Sequence, residues 1–243
     1  MLEIFNEIKG GLIVSCQSEG NDPFNSPEGV TLFARAAEMG GAKGIRSEGI
    51  EKTKMILENV NIPVIGIIKS QFEDGTVKIT GTYKDFESLL KIGCQIIAVD
   101  GTFRKREGVT GPEFINLLKK NYETIICADI STYEEAIACA ENGADFISTT
   151  LSGYTPETKF LNTDKPDFKL LQQLTKNLNV PVIAEGRYNQ PDYAAQAIRM
   201  GAWCVVVGTA ITRPRIITRW FVEAIENVKM EMDQNNFNMD NLI

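Results

Sequence analysis

One local pattern recurs along the chain and limits its fold more than any other feature. An amphipathic helix ends at a Gly, a small residue follows, and a short apolar strand begins. The pattern stands at Met39-Gly40-Gly41-Ala42, Ile92-Gly93-Cys94, Asn142-Gly143-Ala144 and Met200-Gly201-Ala202. Gly just past a helix end adopts the left-handed conformation without a Cβ clash. Gly41, Gly93, Gly143 and Gly201 follow one another at intervals of 52, 50 and 58 residues. Strands of a second type lie between them: Asn59-Val60-Asn61-Ile62-Pro63-Val64-Ile65 is echoed by Asn177-Leu178-Asn179-Val180-Pro181-Val182-Ile183, and Glu123-Thr124-Ile125-Ile126-Cys127 fills the middle slot. Pro suits the first residue of a strand, where the ladder does not yet need its N–H.

The pattern predicts strands at Leu12–Gln17, Ala42–Arg46, Pro63–Lys69, Gln95–Asp100, Thr124–Asp129, Asp145–Thr149, Pro181–Glu185 and Cys204–Gly208. They are continuous β-branched runs, as parallel strands covered on both faces should be. Helical periodicity separates them, for example at Pro27–Met39, Asp85–Ile92, Tyr133–Glu141 and Pro191–Met200. Eight strand–helix units in 243 residues fit an α/β fold of the single-domain (β/α)8 TIM-barrel type, which typically uses about 250 residues. A doubly wound open sheet is the alternative, but the GxGxxG fingerprint after the first strand is missing. Glu73–Thr82 alternates around Asp74-Gly75, the signature of a β-hairpin inserted after strand 3. The barrel is expected over residues 1–228, with 229–243 as a C-terminal extension.

Composition narrows the chemistry. The chain has no histidine, which removes Ser-His-Asp and Cys-His nucleophiles, histidine bases and most zinc or non-haem iron sites. Acid–base work falls to carboxylates, lysine, cysteine or tyrosine. The 25 basic against 32 acidic residues give a net charge of −7, which argues against a nucleic-acid partner. Five cysteines without a CxxC pair read as reduced, buried thiols of a cytoplasmic protein. Glu3, Glu7 and Lys9 interrupt any export signal ahead of Leu12-Ile13-Val14, and no apolar run approaches a membrane span. No metal site is expected.

In such barrels chemistry gathers where strands end. The predicted ends present Gln17, Arg46, Lys69, Asp100, Asp129, Thr149, Thr150, Glu185, Gly208 and Thr209. Lys69 and Glu185 each close an apolar run, so their own strands desolvate them and mark them as functional. Glu185-Gly186-Arg187 and Gly208-Thr209, followed by Arg213, occupy the seventh and eighth loops, where barrels commonly bind a phosphate through backbone N–H groups.

Seven blocks in order then carry a resemblance. They are Gly11-Leu12-Ile13-Val14-Ser15-Cys16-Gln17, Gly44-Ile45-Arg46, Gly66-Ile67-Ile68-Lys69, Ala128-Asp129-Ile130-Ser131-Thr132, Thr149-Thr150-Leu151-Ser152-Gly153-Tyr154-Thr155, Glu185-Gly186-Arg187 and Val207-Gly208-Thr209-Ala210-Ile211-Thr212. With these the chain resembles the N-acylglucosamine-6-phosphate 2-epimerase family, also called the N-acetylmannosamine-6-phosphate 2-epimerase family, of sialic acid catabolism. The resemblance implies cofactor-free interconversion of N-acetylmannosamine 6-phosphate and N-acetylglucosamine 6-phosphate. The family's catalytic lysine falls on Lys69 and its catalytic glutamate on Glu185. Substrate contacts fall on Gln17, Arg46 and Asp129, with Thr150 beside them, and phosphate contacts on Gly186, Arg187, Gly208, Thr209 and Arg213. A homodimer is implied as well. The segment Asp100-Gly101-Thr102-Phe103-Arg104 departs from the family's usual Asp-Ala-Thr.

Inversion at C2 of an amino sugar requires ring opening, because C2 is acidic only beside a C1 aldehyde. A base then removes the C2 proton to give an enediolate, and a proton returns on the other face. Lys69 and Glu185 are read as a coupled pair that exchanges the roles of acid and base with direction. Arg46, with Gln17, is the candidate for stabilising the O1 oxyanion. Partial burial and Arg46 are expected to favour neutral Lys69, and Glu185 to oppose this. A Schiff-base aldolase built on Lys69 and a non-catalytic sugar-phosphate binding protein are the alternatives.

Overall fold

The computed structural model describes residues 2–161 and 164–240, with side chains of the last helix described through Met232. The chain opens with helix α1 (Leu2–Ile8), strand β1 (Leu12–Cys16), α2 (Pro27–Met39), β2 (Gly44–Glu48), α3 (Ile50–Leu57) and β3 (Val64–Ile67). The short strands β4 (Lys69–Gln71) and β5 (Val77–Ile79) come next, then α4 (Tyr83–Lys91), β6 (Ile96–Asp100), α5 (Gly111–Asn121), β7 (Ile125–Asp129), α6 (Tyr133–Glu141) and β8 (Phe146–Ser148). The chain continues through α7 (Phe168–Asn177), β9 (Val182–Glu185), α8 (Pro191–Arg199), β10 (Cys204–Val207), α9 (Thr209–Thr212) and α10 (Pro214–Asp240).

Eight parallel strands close on themselves in the order β1-β2-β3-β6-β7-β8-β9-β10. Leu12 to Val14 of β1 pair with Val205 to Val207 of β10, and Ile13 to Cys16 pair with Gly44 to Ser47 of β2. That closure makes the fold a (β/α)8 barrel and excludes the open doubly wound sheet. Alternation along each strand divides the core in two. Ile13, Ile65, Ile96, Ile125, Phe146, Ile183 and Cys204 fill the barrel interior, while Val14, Ile45, Val64, Ile97, Ile126, Val182 and Val205 face the helices. Helix α1 plugs the bottom: Ile8 is buried in the inner cluster, Phe5 stacks on Phe146 at 4.3 Å, and Trp203 Nε1 donates to the Phe5 carbonyl at 3.0 Å.

Local sequence explains the helix starts. Ser26 Oγ accepts from Gly29 N at 3.0 Å, and Pro27 supplies the first helical position of α2. Thr132 and Glu135 form a reciprocal capping box on α6. Thr82 caps α4 by accepting from Asp85 N at 3.1 Å, which starts that helix two residues before the expected Asp85.

Two strands differ from expectation by more than one residue at a boundary. Strand β2 starts at Gly44 rather than Ala42 and runs to Glu48, so Arg46 stands within the strand. Barrel strand β3 ends at Ile67, because the chain there passes into another sheet. Thr80 closes the junction, with its N–H donating to the Ile68 carbonyl at 2.7 Å and its hydroxyl accepting from Ile68 N at 3.1 Å. Lys69 therefore belongs to the hairpin, paired with Ile79 across the antiparallel β4–β5 ladder. The expected hairpin is present, and its first strand lies earlier than Glu73. Helix α10 runs unbroken across position 229, while residues 241–243 of the expected extension lie outside the described residues. No described helix is long and apolar enough to cross a membrane.

Candidate active site

Strand alternation places polar side chains inward at the upper end of the barrel, among them Ser15, Arg46, Asp129, Ser148 and Glu185. Register sets Ser15 beside Arg46, Asp129 beside Ser148, and Glu185 beside Val206. Arg46 is the largest polar side chain buried there, at 1% exposure. Its Nη1 and Nη2 donate to the two Asp129 oxygens at 3.2 and 2.5 Å, and Nη1 lies 3.3 Å from Glu185 Oε2. Thr150 Oγ1 sits 2.8 Å from Asp129 Oδ1 and 3.0 Å from Glu185 Oε2. Ser148 Oγ adds a contact to Glu185 Oε2 at 3.3 Å. Glu185 is held from behind as well, its N–H donating to Thr149 Oγ1 at 3.0 Å.

This arrangement puts two carboxyl groups on one guanidinium, Asp129 fully buried and Glu185 largely so. Burial pushes the Glu185 carboxyl above its ordinary range; Arg46 opposes this and Asp129 reinforces it. Asp129 moves the same way, again chiefly through burial and against the pull of Arg46. Burial disfavours the charge on Arg46, yet Asp129 and Glu185 outweigh it and hold the guanidinium protonated. Two ionised carboxyl groups beside one guanidinium would leave a negative charge uncompensated, so the arrangement biases both toward taking up a proton. Glu185 is the member that reaches the cavity.

Above the cluster opens a cavity of about 640 Å³, within the range that takes a small ligand. Gln17, Arg46, Lys69, Thr150, Glu185, Gly186, Arg187, Gly208, Thr209 and Arg213 all line it. Asp129 does not, for it is fully buried under Arg46. Asp100 is also withdrawn: its carboxylate accepts from Arg104 at 3.0 Å and Arg106 at 2.8 Å and so ties down the loop after β6. Gln17 Nε2 donates to Ser15 Oγ at 2.8 Å. Arg187 has a positive φ of 63° after Gly186 at 105°. Its Nε and Nη1 donate to the carbonyls of Lys165 and Ser152, each at 2.8 Å, so it braces the segment after β8 from the cavity wall.

Lys69 enters the cavity from the hairpin, not from the rim of the barrel. Its ammonium is paired with Glu19, which also lies 3.6 Å from Arg213 Nη2. The neighbours expected for Lys69 were Glu185, as its coupled partner, and Arg46, but those two are engaged with each other and with Asp129, and Lys69 pairs with Glu19 instead. Glu19 was not read from the sequence. Its signal was its place two residues beyond Gln17 in the first βα loop, where a carboxylate can meet cations from other strands. Partial burial pushes the Glu19 carboxyl up, but Lys69, Arg213 and Lys52 outweigh it and hold it below its usual range. Cysteine drops out as a candidate: burial pushes Cys16 and Cys94 up to about 12.

Residues 30–227 match the protein family described as "Putative N-acetylmannosamine-6-phosphate epimerase". The chain belongs to this family. A relative from Clostridioides difficile named "Putative N-acetylmannosamine-6-phosphate 2-epimerase" is 47% identical over 92% of this chain and 99% of its own. Another of the same name from Caldanaerobacter subterraneus subsp. tengcongensis is 45% identical over 93% and 95%. The solved N-acetylmannosamine-6-phosphate 2-epimerase from Clostridium perfringens superposes with a TM-score of 0.84 at 41% identity, covering 91% of this chain and 96% of that one. A thiamine phosphate pyrophosphorylase from Pyrococcus furiosus, at TM-score 0.59 and 17% identity, shares the fold alone. Within the epimerase family frame, the Glu185 cluster stands on barrel strands and Lys69 on the inserted hairpin, so two separately built elements meet at one cavity.

Proposed function

We propose that this chain epimerises C2 of N-acetylmannosamine 6-phosphate to N-acetylglucosamine 6-phosphate in amino-sugar catabolism, without an external cofactor. The observation that carries the reading is the convergence of Lys69 and Glu185 on one cavity, with the Glu185 carboxyl pushed above its ordinary range by burial. The names of the relatives supply the substrate. The 6-phosphate is assigned to Gly186, Gly208, Thr209 and Arg213, where the first N–H groups of α9 lack helical partners. Arg187 supports that wall from its two carbonyl anchors.

Glu185 serves as proton donor when the ring opens or when C2 is reprotonated, and Lys69, once neutral, as the acceptor. The roles exchange in the reverse direction. Arg46 holds Glu185 and, through its remaining exposure to the cavity, favours negative charge developing on O1. Gln17 and Thr150 are assigned to the sugar hydroxyls, and Asp129 acts through Arg46. Each of the two acid–base groups is worth about 10²- to 10⁴-fold in rate.

Incubation with N-acetylmannosamine 6-phosphate in D2O, followed by NMR at C2, tests the reaction. Deuterium should enter C2 as the epimer appears, and Lys69→Met should stop both. Conversion that survives Lys69→Met overturns the role given to Lys69. Borohydride added with substrate separates the aldolase alternative, since only an imine would be trapped.

The chain is also proposed to act as a cytoplasmic homodimer. Helix α10 leaves Trp220, Phe221, Ile225 and Val228 exposed, an apolar stripe that a second copy would cover. Sedimentation should give twice the chain mass, and Phe221→Glu with Ile225→Glu should return the monomer.

A further inference from the structure

We propose that Glu19 is a positioning residue that stands in for the substrate's phosphate before substrate binds. It holds Lys69 and Arg213 until that phosphate arrives, and then gives both up. The proposal rests on the phosphate assignment to Arg213 and its loops made above. Three charged groups from three separate elements carry it. Glu19 comes from the loop after β1, Lys69 from the hairpin strand β4, and Arg213 from the junction of α9 and α10. One Glu19 oxygen serves both cations, paired with Lys69 and 3.6 Å from Arg213. Glu19 is half exposed and Lys69 is 30% exposed, so the pair can open without unpacking the barrel. By contrast, Arg46 and Asp129 are buried and fixed on strands.

Charge then decides the sequence of events. A phosphate dianion that reaches Arg213 meets the Glu19 carboxylate beside it, and like charges at that range repel. Glu19 has alternative company at the rim, where Lys52 donates to the Ser18 carbonyl at 2.9 Å and faces Glu48 at 3.6 Å. Departure of Glu19 breaks the ion pair that holds Lys69 at the rim, and Lys69 is left facing the sugar. Phosphate binding is in this way coupled to release of the base.

The test uses inorganic phosphate as a competitive inhibitor of the epimerisation, measured on the full chain. Glu19→Gln keeps the size of the side chain and removes its charge. It should tighten phosphate about three- to tenfold at low salt, with the gain shrinking as ionic strength rises. Arg213→Met should weaken phosphate at least as much in the opposite direction. The second readout is the sugar without its phosphate, which cannot displace Glu19: its kcat should rise in Glu19→Gln, whereas a merely structural role would lower it. An unchanged inhibition constant in Glu19→Gln, together with a weakened one in Arg213→Met, overturns the role of Glu19 and leaves the phosphate assignment standing. Unchanged constants in both variants overturn that assignment and the proposal with it.

Discussion

The cavity is bounded by two charge clusters built on opposite plans. Arg46, Asp129 and Glu185 lie on β2, β7 and β9, joined by a bidentate pair with Arg46 and Asp129 at 1% and 0% exposure. Glu19, Lys69 and Arg213 sit on loops and a hairpin, with Glu19 half exposed and its cations a fifth to a third exposed. The buried cluster cannot rearrange without uncovering charge in a dry place, so it suits a proton held at a fixed atom. The exposed cluster pays little for opening, which suits groups that must yield to an incoming anion. Position on the fold, rather than residue type, sorts these carboxylates into their tasks.

The largest expected effect is one that the two clusters share. Glu185→Gln and Lys69→Met should each reduce kcat by about 10²- to 10⁴-fold, read by coupled turnover of N-acetylmannosamine 6-phosphate. A loss in kcat with little change in KM places the group at the reacting atoms. A variant that changes only KM would move its residue from chemistry to binding.

Stability should then separate the clusters. Arg46→Met leaves two carboxyl groups buried without their cation and should cost about 3–5 kcal/mol in urea unfolding, even after one takes up a proton. Lys69→Met removes one partner of an exposed pair, a change worth about 0–1 kcal/mol. Equal destabilisation by the two substitutions would break the distinction between a fixed and a yielding cluster.

Much of this was legible beforehand, and the exceptions have physical causes. Eight strands were readable because Gly at helix ends and Pro at strand starts are demanded by backbone geometry, which short-range sequence records. The side chains of the site were legible as strand ends, and ten of the eleven assigned residues line the cavity. Asp129 escaped because alternation tells which way a side chain points but not what lies over it, and Arg46 covers it. Lys69 looked like the end of an apolar strand because the turn at Ile68 is made by Thr80, twelve residues away. Glu19 carried only the weak signal of its place in the first βα loop, because its partners, Lys69 and Arg213, lie 50 and 194 positions away in the chain.

The smallest expected effect discriminates most finely, because the two clusters should respond to pH with opposite signs. Glu185 has a native carboxyl raised above its unfolded value, chiefly by burial. From about pH 4.3 upward the unfolded chain releases that proton while the native state keeps it. The native state then binds more protons, so stability falls as pH rises, until the native carboxyl also ionises. Glu19 has a native carboxyl held below its usual range by Lys69, Arg213 and Lys52, against partial burial. Its contribution is present above about pH 4.3 and is lost as pH falls through the native value. Urea unfolding of wild type, Glu185→Gln and Glu19→Gln across pH 3 to 8 measures both. Glu185→Gln should flatten the decline on the neutral side, and Glu19→Gln should lessen the loss on the acid side, by less than about 1 kcal/mol given its exposure. Salt should erase the Glu19 difference and leave most of that of Glu185, since screening acts on the exposed rim far more than on the largely buried cluster beneath it. Two differences of the same sign would mean that the clusters are not electrostatically distinct.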